Sequence, residues 1–187
     1  MSRQELSRGF TADSFRTVLK SQYHASLEML REAIELCPDD TWYGREHLNA
    51  FWQVAYHTLY FTHLYLQESE EAFRPWEQHQ SEVQHEDGIS GPPDPDSPLP
   101  LMPEPYSREQ VLEYWRHCDQ MVDRAVDALD LNSPTSGFHW YRLSKLEHQI
   151  INVRHVQHHA AQLADRLRAA AGIGIDWVAA KSGENAA

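Results

Sequence analysis

Asn152–Gly172 reads NVRHVQHHAAQLADRLRAAAG, with three histidines inside five residues and a glycine at the end. At about 100° per residue, Val156, Ala160, Leu163 and Leu167 fall on one side of a helix. His155 and His159, about 40° apart, border that side one turn above each other. His158 lies about 100° from His159, toward Arg154, Asp165 and Arg168, and reads as solvent decoration. The stretch is an amphipathic helix with an inward histidine pair and an outward single. Ser144 and Glu147 form a capping box at its start, and Gly172 suits the position just past its last turn.

Three further segments share this pattern. The first runs from about Asp13 to Leu36, with Phe15, Leu19, Leu27, Leu30 and Ile34 at helical spacing, and CPDD stops it. A second, from about Arg45 to Glu70, carries Ala50, Val54, His57, Phe61 and Leu64 as one stripe. The third opens on the capping box Ser107–Gln110 and continues through Val111, Trp115, Cys118, Val122, Ala125 and Leu129 to the turn-rich NSPTSG. No strand pattern stands out. Four amphipathic helices predict an all-α protein, a four-helix bundle. About 74–106 is a proline-rich irregular link, expected to cross the bundle's length and cover one end. Beyond Gly172, 173–187 reads as a tail with Trp177 as its anchor. The 187 residues suffice for one domain with a sizeable core.

Composition narrows the partners. The formal charge of −12 opposes nucleic-acid binding, since no basic patch stronger than Arg166/Arg168 offsets it. No stretch approaches the roughly 18 apolar residues of a membrane span. The N-terminus has no apolar run of a secretory leader, which makes the cytoplasm the expected location. Cys37 and Cys118 stand far apart within helical patterns and read as reduced, buried small residues.

His57 is the one polar member of the second helix's stripe. A lone histidine there is ordinarily a hydrogen-bonded core residue. Three inward imidazoles are harder to satisfy in an apolar core, because each neutral ring needs both a donor and an acceptor partner. One divalent metal would satisfy the acceptor nitrogens of His57, His155 and His159 together, if the second and fourth helices are neighbours. His63 points about 120° from His57 and is set aside. His79, His85, His117 and His139 read as exposed or incidental. The Glu82/His85 pair falls in the link, where no di-iron site would form. His148, Asn152 and Gln162 flank the pair and read as helix-end and rim residues, with ligand orientation as the alternative. Glu68 and Glu147, at helix ends, have no distinctive spacing.

AYHTLYFTHLYL, followed about ninety residues later by NVRHVQHHAAQL, resembles the DinB-like superfamily of metalloenzymes. The resemblance spans all four helices and the long link. It implies a divalent metal, zinc or nickel, on His57, His155 and His159, and a homodimer. It also implies a small-molecule substrate and chemistry of the thiol S-transferase type, with a low-molecular-weight thiol as co-substrate. Three histidine ligands leave a metal position open for a thiol or water, the mark of a catalytic site. A non-catalytic binding bundle is the alternative, and an open pocket beside the metal discriminates against it.

Overall fold

The computed structural model describes residues 11–81, 83–84 and 104–181. Among them the elements are α1 (Ala12–Leu36), α2 (Asp39–Trp42), α3 (Phe51–Tyr65), a 3-10 turn (Glu70–Ala72), α4 (Arg108–Ala128) and α5 (Lys145–Ala171). No strand occurs among the described residues. The four long helices form the bundle, and α2 is a single turn beside it. α1 packs on α4 and α5, and α3 packs on the same two, so α1 and α3 face each other across a diagonal.

Local chemistry sets most helix ends. The Thr11 side chain accepts from the Ser14 N–H to start α1. Ser107 and Gln110 cap each other reciprocally at α4. At α5 the Ser144 hydroxyl accepts from the Glu147 N–H, and Gly172 ends the helix at φ 70°. The seam of α5 is the apolar side read from the sequence, with Val156, Ala160, Leu163 and Leu167 fully buried. On α1 the same holds for Leu19, Leu27, Leu30 and Ile34, whereas Phe15 is exposed at the first turn.

The second helix is shorter than the expected Arg45–Glu70. Trp42 is buried and donates its indole N–H to the Tyr106 carbonyl, which holds residues 39–42 in a turn of their own. α3 then starts where the Gln53 side chain accepts from the Ala50 N–H (2.8 Å). At the other end, the backbone after Leu66 pairs with the loop before α5. The Glu68 carbonyl accepts from Lys145 Nζ, and the Glu70 N–H donates to the Gly137 carbonyl. Those bonds replace the last expected turn.

The described part of the link is tied down. Trp76 stacks on Tyr114 (4.6 Å between centroids, 7° between planes), and Val83 is buried. The Tyr106 hydroxyl donates to the Gln78 carbonyl and accepts from the Gln80 N–H. Glu82 and His85 lie outside the described residues. Trp177 is not an anchor: it is 72% exposed, while Ile173, Ile175 and Val178 pack against the core instead.

Candidate metal centre

α3 and α5 are packed neighbours, so the stripe that carries His57 faces the helix that carries His155 and His159. One ring nitrogen from each of the three lies within 4.8 Å of the other two, an arrangement that could hold a metal ion and the one such grouping among the described residues. The ring centroids form a near-equilateral triangle: 5.1 Å for His57–His155, 4.9 Å for His57–His159 and 4.6 Å for His155–His159.

Tautomers follow from the outer partners. His57 Nδ1 is 2.7 Å from the Gln84 carbonyl, which can only accept, so Nδ1 donates and Nε2 keeps its lone pair. His159 Nδ1 donates in the same way to Gln162 Oε1 at 2.9 Å. Metal-bound histidines are held by such bonds from the ring's other nitrogen. His57 Nε2 and His155 Nε2 are 3.1 Å apart, while His155 Nδ1 is buried with no hydrogen-bond partner. Two imidazoles on one ion at about 2.0–2.1 Å place their nitrogens roughly 3 Å apart. The donor set therefore fits a divalent metal.

Burial first, and then the neighbouring His159, His57 and His158, push the His155 imidazolium down to about 2. His159 is lowered as well, by burial foremost, against a smaller opposing effect of the Gln162 bond. Both rings are neutral near pH 7, the form that coordinates metals.

A cavity of about 400 Å³ opens beside the cluster, walled by His57, His155 and His158, by Phe61, Tyr65 and Tyr141, and by Ile151 and Arg154. His158 stands outside the three-histidine group, as expected, but it is more than decoration because it forms part of this wall. Glu68 and Glu147 are exposed and absent from it.

Other polar residues depart from the sequence reading. His148 and Asn152 are not rim residues: both are fully buried, and neither ring nitrogen of His148 has a hydrogen-bond partner. Tyr65, Phe138 and Tyr141 enclose the His148 ring, and burial, with Lys145 nearby, pushes its pKa down to about 4. His79 is not incidental, since Tyr56 meets its Nδ1 at 2.6 Å with the rings stacked. His63 is buried 3.1 Å from the Tyr114 hydroxyl, outside the three-histidine group. His117 and His139 are exposed, as expected. Cys37 and Cys118 are buried free thiols.

Two buried groups had gone unread. His24 sits between Asp119 (2.7 Å) and Asp123 (3.2 Å) of α4, whose i,i+4 spacing was the available signal. Lys145 is 1% exposed and donates to the Glu68 and Ser136 carbonyls. Nothing in its sequence context separates it from a surface lysine.

The model of the DinB superfamily matches residues 22–163, from the middle of α1 through α3 and into α5 past His159. The chain belongs to the DinB superfamily. Comparison with curated proteins and with solved structures gave no significant match. In this DinB-superfamily chain all three histidines lie inside the matched segment.

Proposed function

We propose that this chain is a metal-dependent enzyme with a divalent ion, zinc or nickel, on His57, His155 and His159, acting on a thiol or water. The observation that carries this reading is the open cavity against two of the three convergent imidazoles. Three imidazoles suit zinc or nickel rather than magnesium or calcium. Once bound, the ion supplies Lewis acidity that deprotonates a coordinated thiol near neutral pH.

The chain's own residues do the rest. Gln84 and Gln162 fix two rings with Nε2 free to coordinate. Phe61, Tyr65 and Ile151 give the cavity an apolar side against which a substrate body can pack. Burial holds Tyr65 as a phenol, so its hydroxyl remains a hydrogen-bond donor. Among the described residues no Asp or Glu lines the cavity to serve as general base, which favours a thiol ionised by the metal over assisted hydrolysis.

The test is conjugation of a low-molecular-weight thiol to a chromogenic aryl chloride by zinc- or nickel-loaded protein. Sulfur forms the new bond to carbon, chloride leaves, and the thiol proton goes to solvent. Turnover above background that disappears in His155→Ala supports the transferase. Stoichiometric metal with no turnover of any thiol, and no ester hydrolysis, would make this a non-catalytic binding bundle.

A further inference from the structure

The cavity beside the three histidines has an unusual charge for this chain. The protein carries 28 acidic side chains against 16 basic ones, yet among the described residues no aspartate or glutamate stands in the cavity wall. Among the described residues, the one permanently charged side chain there is Arg154, one residue before His155 on α5. Arg31 bridges Glu28 and Glu35, and Arg108 meets Asp39. Arg154 has no carboxylate partner among the described residues. Among the described residues, an anion entering this cavity meets a cation and no acidic side chain at the wall, inside a molecule whose overall field is negative.

The chemistry of the charge narrows the anion. A guanidinium presents a planar fork of donors that matches a carboxylate bidentately. The same fork fits phosphate, but one guanidinium balances a monoanionic carboxylate and only half the charge of a phosphate dianion. Phe61, Ile151 and Tyr65 give the same cavity an apolar side, and its volume of about 400 Å³ is in the small-molecule range.

Resting on the proposed function for the location of the reacting atoms, we propose that the substrate is a small carboxylic acid with an apolar body. Arg154 holds its carboxylate, and Phe61, Ile151 and Tyr65 hold the rest. Arg154 is thus a specificity residue that sets which molecules reach the histidines.

Calorimetric titration of the zinc-loaded protein with phenylacetate, its neutral counterpart 2-phenylethanol and inorganic phosphate tests this, in wild type, Arg154→Lys and Arg154→Gln. Phenylacetate should bind saturably to wild type, roughly tenfold or more weakly to Arg154→Gln, and at an intermediate level to Arg154→Lys. The alcohol should bind weakly and equally to all three, and phosphate more weakly than phenylacetate to wild type. Equal phenylacetate affinity in wild type and Arg154→Gln would overturn the proposal. So would no saturable phenylacetate binding to wild type, or phosphate binding as tightly. The metal content of Arg154→Gln should equal that of wild type. If wild type holds no zinc, the proposed function falls, but the same titrations on metal-free protein still decide the role of Arg154.

Discussion

Gln162 is the most informative residue to change outside the three histidines. Its Oε1 accepts the Nδ1 proton of His159 at 2.9 Å, and it is half-buried at the helix edge. Replacing it with leucine keeps side-chain size and helix propensity but removes the acceptor. His159 is 6% exposed, so water has little access to replace the lost bond. Its ring is then free to rotate or to take the other tautomer, which puts a proton on the coordinating nitrogen. Loss of a hydrogen bond behind a metal-bound histidine lowers metal affinity by about 10–100-fold, or roughly 1.4–2.8 kcal/mol. Competition for zinc against a chelating dye measures this directly. Gln162→Leu should fall in that range, and Gln162→Glu, which keeps an acceptor, should bind at least as tightly as wild type. Thermal unfolding of the metal-free variants checks that the fold is intact. A leucine variant within about twofold of wild type would refute the idea that this bond orients a ligand.

Two further outcomes concern the scaffold. Burial alone would lower the His24 pKa, but the hydrogen bonds and charges of Asp119 and Asp123 outweigh it and raise the pKa above its usual value of 6.5. The native state then holds the proton more tightly than the unfolded chain, so this stabilisation is full below about pH 6.5 and is lost as pH rises through the native pKa. Urea unfolding across that window should show stability falling with pH, with a shallower fall in His24→Gln; identical slopes would contradict the assignment. Gly137 has φ 86°, and a Cβ there collides with the Glu68 carbonyl beside Lys145. Gly137→Ala should cost more than about 2 kcal/mol, of which the left-handed backbone accounts for roughly 1–2, and a loss under about 0.5 kcal/mol in denaturant unfolding would show that the turn relaxes freely.

The three-histidine cluster was legible because each member occupies a position that helical periodicity alone aims inward. His57 interrupts an apolar stripe, and His155 and His159 border one. Periodicity could not supply the packing of α3 on α5, which depends on the diagonal arrangement of the bundle. It also could not reveal that a backbone carbonyl, that of Gln84 in the link, would fix the His57 tautomer. Polar residues inside the bundle were the systematic misses, since His148, Asn152 and Lys145 look like surface positions when polarity is the guide. Each is buried by tertiary neighbours: the loop 133–144 folds its Ser136 carbonyl onto Lys145 and the Phe138 and Tyr141 rings around His148. The start of α3 was misplaced for a related reason. Arg45–Asn49 holds no proline or glycine to stop a helix, and the buried Trp42 and the Gln53 cap set where α3 begins.

Elemental analysis of purified protein tests the central claim most directly, on wild type and on His57→Ala, His155→Ala, His159→Ala and His158→Ala. The account expects close to one divalent ion per chain in wild type and in His158→Ala, and its loss in the other three, with all five proteins still helical by circular dichroism. A wild type that holds no metal and cannot be loaded with one, or folded triad variants that keep it, would contradict the metal centre.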